Sequence, residues 1–335
     1  MTGTILYGIN NIYTVMPDRE SGRGRVTAGS LECGNAAGES ARFLCRIKGK
    51  VLRDSVGEYN PLAVGDRVTF EEDPHAPGRA GLITGKLPRR TGFVRWNKKR
   101  EAPQSIAANI DLVVCVTTPL SPPFRPRFVD RVLVAAAEGG AHPVILLNKL
   151  DLGMPEETVE RLAYYEEMGY ELIAVSAKTG AGLDELKARL RGRTAVFVGQ
   201  SGVGKSTLMN ALVPGLAQTT REISRKYDRG THTTTHAVMV PYDACGGDAA
   251  VSAIIDTPGI REIELYGIEP DELEGYFPDF APFLGTCGYL PCTHRQEPEC
   301  AVRAAVEEGE IHDDRYESYL RMFEHLERIQ KEKYG

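Results

Sequence analysis

Nine residues constrain this chain more than any others. Gly199, Gln200, Ser201, Gly202, Val203, Gly204, Lys205, Ser206 and Thr207 read GQSGVGKST, between the apolar run Thr194 to Val198 and the helix-forming segment Leu208 to Val213. A strand, a glycine-rich turn and a helix in that order form an anion site, because the loop's backbone N–H groups converge and the helix adds its positive end. Gly199, Gly202 and Gly204 let the backbone turn tightly and approach phosphate oxygens without a Cβ in the way. Lys205 then supplies a point charge to the outer phosphates, and Ser206 a hydroxyl for a magnesium ion.

The chain has 335 residues, too many for one ordinary domain. With 42% hydrophobic and 26% charged residues it can bury a sizeable core. No apolar run approaches membrane-spanning length, and the N-terminus has no basic region leading into a hydrophobic segment, so a cytoplasmic protein is expected. The net charge of −6 hides an asymmetry: residues 1–105 carry 17 Lys+Arg against 11 Asp+Glu, and the remainder is net −12. Such a split points to different partners for different parts of the chain.

Residues 1–88 hold short β-type segments at Thr4 to Tyr7, Ile12 to Val15, Arg42 to Leu52, Arg67 to Glu71 and Gly81 to Leu87, separated by turn-rich stretches. Five strands in that length predict a small closed barrel of the OB type, a fold that often binds RNA. The following segment, Pro88 to Pro103, interleaves Arg89, Arg90, Arg95, Lys98, Lys99 and Arg100 with Phe93 and Trp96. It reads either as a phosphate- and base-contacting strip or as a charged linker whose aromatics pack on the neighbouring domain.

From Asp111 the texture becomes alternating apolar strands and helices. DLVVCVTT, PVILLNK, ELIAVSA, TAVFVGQ and VSAIIDT are near-continuous apolar runs, as parallel strands covered on both faces require. Helical spacing falls between them at Phe128 to Glu138, Glu156 to Met168, Leu183 to Leu190 and Ser206 to Val213, which predicts a doubly wound α/β domain. Ligands bind such sheets at the carboxyl ends of the strands, and the motifs fall there. Asn148, Lys149, Leu150 and Asp151 close one strand: a carboxylate at Asp151 can accept from guanine N1–H and the exocyclic amine, the Asn148 amide can read the other edge, and the Lys149 stem can lie over the ring. Ser176, Ala177 and Lys178 close the next, placing backbone N–H groups for the guanine oxygen. Asp256, Thr257, Pro258 and Gly259 close a third, where Asp256 can hold a magnesium-bound water and the Gly259 N–H can reach the terminal phosphate. Gly230 to His236, GTHTTTH, supplies hydroxyls for a magnesium-sensing switch. Thr234 is the expected ligand among Thr233, Thr234 and Thr235, a choice that spacing does not decide. NKLD and SAK stand before the P-loop, not after it as in ordinary GTPases, so the domain is circularly permuted. A permutation keeps the packed core when the old ends lie close together.

Cysteine usage divides in the same way. Cys33, Cys45, Cys115 and Cys245 are scattered, whereas Cys287, Cys292, His294 and Cys300 follow C-x4-C-x-H-x5-C. Three thiolates and an imidazole form a closed tetrahedral set for one structural zinc. Arg315 to Lys333 carries Tyr316, Tyr319, Leu320, Phe323, Leu326 and Ile329 at helical spacing, which predicts a helix packed on that module.

An OB-like start, a permuted GTPase with NKLD, SAK, GQSGVGKST, HTTT and DTPG, then YFPDF and CGYLPCTHRQEPEC resemble the ribosome small subunit-dependent GTPase A family (RsgA, also called YjeQ or YloQ). The resemblance covers nearly the whole chain. It implies an OB barrel at 1–88, a permuted GTPase domain at 89–266 and a zinc-binding helical module at 267–335. It further implies a monomer that hydrolyses GTP with Mg2+ late in small-subunit maturation, contacts ribosomal RNA and is stimulated by the subunit. A nucleotide-gated RNA-binding adaptor with incidental hydrolysis is the alternative. Ile260 stands where Ras-like enzymes place a water-orienting Gln, and a hydrophobic side chain cannot orient water. His232 matches the family's switch histidine, and a neutral imidazole there can align water, which makes it the expected catalytic residue.

Overall fold

Alternating burial builds the first body. The computed structural model describes residues 1–9, 11–18, 42–49, 59–213, 237–242, 252–257, 260 and 262–334. In strand β3 (Phe43–Ile47), Phe43 and Cys45 point inward and Leu44 and Arg46 outward. It joins β1 (Thr2–Ile9), β2 (Ile12–Pro17), β4 (Arg67–Glu72) and β5 (Ala80–Lys86) in a closed barrel of order β1-β2-β3-β5-β4. β3 and β5 pair in parallel and the other neighbours antiparallel. Ile5, Val15, Phe43, Val68, Phe70 and Ile83 fill the interior. This is the OB-type barrel the segment spacing predicts, with β3 shorter than expected among the described residues.

The basic, aromatic segment becomes a hairpin of β6 (Gly92–Asn97) and β7 (Ala102–Ala108). Phe93 is fully buried, and Trp96 stacks on Tyr266 with ring centroids 5.8 Å apart. The Trp96 N–H donates to the Glu264 carbonyl at 2.9 Å, and Lys98 pairs with the Glu264 carboxylate at 2.5 Å. Arg89 forks onto Asp66, itself buried, at 2.7 and 2.8 Å, which fastens barrel to hairpin. Of the two readings of this strip, packing within the chain accounts for both aromatics; Arg90, Lys98, Lys99 and Arg100 remain exposed.

The apolar runs form a sheet of order β10-β9-β8-β11-β13-β12. Its parallel members are β8 (Leu112–Thr117), β9 (His142–Leu147), β10 (Glu171–Ala174), β11 (Thr194–Gly199) and β13 (Ser252–Asp256). β12 (Val238–Tyr242), which the apolar-run reading passed over, adds an antiparallel edge on β13. All six residues of β8 are buried, because helices cover both faces. α1 (Pro126–Glu138) and α2 (Glu156–Glu167) pack on one face, α3 (Leu183–Leu190) and α4 (Lys205–Leu212) on the other. The chain is therefore doubly wound as expected, and direction reverses between β8 and β11, the point at which such sheets form a crevice at their carboxyl edge.

Two helices, α5 (Ala301–Glu307) and α6 (Asp313–Tyr334), end the described chain. α6 docks on the sheet's helices through charge as well as apolar contact. Arg315 and Asp130 of α1 are both fully buried and pair at 2.7 Å. Tyr165 donates to the same Asp130 oxygen at 2.6 Å, Asp279 lies 3.4 Å from Arg315 Nε, and the Phe277 ring underlies the guanidinium at 4.2 Å. An Arg among acidic neighbours on an amphipathic helix reads as surface charge, yet this one is a core element. Among the described residues, no helix is long and apolar enough to cross a membrane.

Removing Arg315 leaves the buried Asp130 with only Arg161, 3.6 Å away, and the Tyr165 hydroxyl. Arg315→Ala is expected to cost about 3–5 kcal/mol and to lower the urea midpoint followed by the fluorescence of Trp96, the sole tryptophan. Arg315→Lys keeps the charge without the fork and falls between. An unchanged midpoint in Arg315→Ala would remove the pair from the account of this junction.

Candidate functional site

The P-loop leaves β11 at Gly199 and enters α4 at Lys205, so its turn lies at the crevice. Gly204 has φ +89°, and a Cβ there would stand 2.5 Å from Asn148 Nδ2. Both facts exclude other residues. Lys205 is 8% exposed, and its Nζ donates to the Gly199 carbonyl at 3.2 Å. Burial lowers the Lys205 pKa while Asp256 opposes that shift. Burial raises the Asp256 carboxyl to about 6, with Lys205 pulling the other way. The loop thus holds a desolvated cation and a reluctant carboxylate at the end of β13, an arrangement ready for phosphate and a divalent ion.

Asn148 is the connector. It is 1% exposed; its Nδ2 donates to the Val203 carbonyl at 2.9 Å, and its Oδ1 accepts the Ala177 N–H at 3.1 Å. The Ala177 N–H and the Asn148 Oδ1 are thus spent on each other, while the Asn148 amino group has a second N–H beyond the one given to Val203, which is compatible with the expected contact to a base. Lys149, at φ +68°, donates to the Ser121 and Gly202 carbonyls at 2.6 and 2.7 Å, tying a third segment to the loop. Leu150 gives its N–H to the Val175 carbonyl at 3.2 Å. Asp151 accepts from Ser176 Oγ at 2.7 Å, and Lys178 Nζ lies 3.6 Å from its other oxygen. The Ser176 hydrogen bond is the main cause that lowers the Asp151 pKa, which keeps the carboxylate charged and acceptor-only. The structure therefore brings NKLD, SAK and the P-loop to one edge, with the Asp151 carboxylate held there by Ser176 and Lys178.

The third-phosphate side is described in part. Gly259, His232, Thr233, Thr234 and Thr235 lie outside the described residues, as do Cys33 and Cys245. Thr257 is buried and donates to the Phe197 carbonyl at 2.7 Å, pinning the end of β13 to β11. Ile260 is 4% exposed within the apolar core, and its N–H donates to the Gly199 carbonyl at 3.3 Å. A side chain so placed leaves water orientation to another residue.

A second constellation lies beyond the sheet. One donor atom from each of Cys287, Cys292, His294 and Cys300 falls within 4.8 Å of the others. A tetrahedral zinc with bonds of about 2.05 Å to nitrogen and 2.3 Å to sulfur separates N from S by about 3.6 Å. His294 Nδ1 lies 3.6 Å from Cys287 Sγ and 3.4 Å from Cys300 Sγ, so the donors fit that ion. Glu297, which motif spacing did not reveal, holds the turn. Its carboxylate collects N–H groups of Thr293, Arg295 and Gln296 at 2.8, 3.0 and 3.1 Å and the Thr293 hydroxyl at 2.6 Å.

Comparison with known proteins decides the family. A model described as RsgA GTPase matches residues 86–266. A Borreliella burgdorferi protein named "Small ribosomal subunit biogenesis GTPase RsgA" is 35% identical over 322 residues, 96% of this chain and 95% of its own length. The chain belongs to the RsgA GTPase family. Among solved structures, YjeQ from Thermotoga maritima superposes with a TM-score of 0.67 at 33% identity, covering 97% of this chain and 98% of that one. YloQ, described as a circularly permuted GTPase, gives 0.64 at 24% identity over 98% and 95%, which extends the likeness in fold. In this RsgA chain the NKLD and SAK strands, β9 and β10, stand ahead of the P-loop strand β11 in sequence and share its sheet, with β8 between β9 and β11.

Asp151→Asn exchanges an acceptor pair for an acceptor and a donor. The variant is expected to lose guanosine diphosphate affinity on the order of 100-fold and to gain xanthosine diphosphate, measured by competition against a fluorescent nucleotide. Equal affinities in variant and parent would show that Asp151 does not face the base.

Proposed function

We propose that this chain hydrolyses GTP during small-subunit biogenesis, works in the cytoplasm as a monomer, and is stimulated by the subunit whose RNA it contacts. The observation that carries the reading is the joining of P-loop, NKLD and SAK through Asn148 at one sheet edge. Support for the setting comes from the relative's name and from the exposed basic side chains Lys98, Lys99 and Arg100 at the hairpin turn and Arg90 just before it. The proposed division is a barrel at 1–88, a nucleotide domain at 89–266 and a metal-binding helical module at 267–335.

In this reading Gly199, Gln200, Ser201, Gly202, Val203, Gly204 and Thr207 line the phosphates through loop and helix N-terminus, and Lys205 neutralises them. Leaving water, Lys205 already sits desolvated, so exchanging its Gly199 carbonyl for phosphate oxygens costs little further dehydration. Ser206, Thr234 and, through water, Asp256 would hold Mg2+, which supplies charge neutralisation between the outer phosphates. Asp151 accepts from the base, while Leu150, Ser176, Ala177 and Lys178 form its frame. Gly259 senses the third phosphate. His232 aligns the attacking water, a role that the burial of Ile260 leaves open. Cys287, Cys292, His294 and Cys300 hold one zinc with no open position, so that ion is structural.

GTP turnover with and without intact small subunits tests the proposal. Stimulation of at least about tenfold is expected, and His232→Ala should keep GTP affinity while losing the stimulated rate. Absence of stimulation in the parent protein would favour the nucleotide-gated adaptor. Full stimulation in His232→Ala would move the catalytic role elsewhere.

A further inference from the structure

The metal centre has a contact that its four donors do not explain. His294 Nδ1 faces the Cys287 and Cys300 sulfurs, while its Nε2 lies 2.7 Å from Glu274 Oε2. Glu274 is outside the Cys287 to Cys300 knuckle. It sits on the 3-10 turn Pro270–Tyr276, which leads from the nucleotide domain into the metal module. That turn is itself fixed. Glu269 and Glu272 close a reciprocal capping box, Leu273 is fully buried, and the Tyr276 hydroxyl bonds to Glu138 at the end of α1.

We propose that Glu274 is a positioning residue for the metal ligand His294, and that the bound metal in turn clamps the Pro270–Tyr276 turn. The inference rests on the zinc reading above. A carboxylate is acceptor-only, so Nε2 must carry the ring proton and donate it to Glu274. The lone pair is then left on Nδ1, the atom among the sulfurs. His294 is 2% exposed and the Glu274 side chain one-third exposed, so with Glu274 gone a fixed charged acceptor gives way to mobile water and the ring loses its anchor. Partners of this kind fix tautomer and orientation, and their loss typically weakens metal binding about 10–100-fold. Linkage works in both directions: whatever the carboxylate adds to metal retention, the metal adds to docking of the turn.

A helical side chain on the way out of the nucleotide domain therefore completes the metal site. The test uses the full-length zinc-loaded protein, with metal content measured by mass spectrometry and zinc transfer followed with the chromophoric chelator pyridylazoresorcinol. Glu274→Ala should release zinc about 10–100-fold faster. Glu274→Gln should recover most of the difference, because its amide oxygen accepts the same N–H. Release as slow in Glu274→Ala as in the parent, or as fast in Glu274→Gln as in Glu274→Ala, overturns the role. A nitrogen-15 spectrum of the parent's His294 decides the matter should either variant misfold: a protonated Nε2 with metal on Nδ1 is expected, and the reverse overturns it. Parent protein that holds no zinc under loading conditions defeats the metal reading itself, a failure separate from these.

Discussion

The carboxyl edge of the sheet depends on one buried amide. Asn148 reaches the P-loop at Val203, 55 residues away, with its donor end and the SAK turn at Ala177 with its acceptor end. At 1% exposure neither end has water as an alternative partner, so a site that omits either bond leaves a buried polar group unpaired. Loop, NKLD and SAK therefore assemble together or not at all. The bonds are tertiary, and it makes no difference to them which segment is synthesised first. That is the physical reason a permuted order can build the same crevice.

Permutation changes what the strands are connected to. The chain leaving β13 runs through 262–266, where the Ile263 carbonyl accepts from Arg131 at 3.2 Å and Glu264 is held by the Trp96 N–H and Lys98. Burial pushes the Glu264 carboxyl up, but the contacts with His325 of α6 and Lys98 outweigh it and bring the group down to about 2. One short stretch thus meets the basic hairpin, α1 and α6. It continues into the turn carrying Glu274, the metal knuckle and then Arg315, which returns to α1 at Asp130. The nucleotide edge and the metal module are linked twice, by chain continuity and by a buried ion pair.

The fold was largely legible in the sequence because its strands announce themselves. Runs such as DLVVCVTT have one use, a strand covered on both faces, and the barrel's alternation is plain in FLCRI. The P-loop and NKLD were legible because phosphate and guanine chemistry demand those residue types at fixed spacing. Roles set by distant partners were not. Asn148 reads as a base contact alone until Val203 and Ala177 are seen beside it, Trp96 reads as a stacking platform until Tyr266 covers it, and Arg315 reads as surface charge until Asp130 closes on it. β12 was missed since VMVPY is short, contains a proline and sits at an edge, where sequence signal is weakest.

Nucleotide affinity in Asn148→Ala tests the central claim, that this side chain organises the pocket. Titrations with guanosine diphosphate and with inorganic pyrophosphate compare a ligand that has a base with one that has none. Loss of the connector should weaken both, by about 10–100-fold each for one or two unmade buried hydrogen bonds. A loss confined to guanosine diphosphate, with pyrophosphate binding unchanged, would contradict the account and make Asn148 a base contact alone.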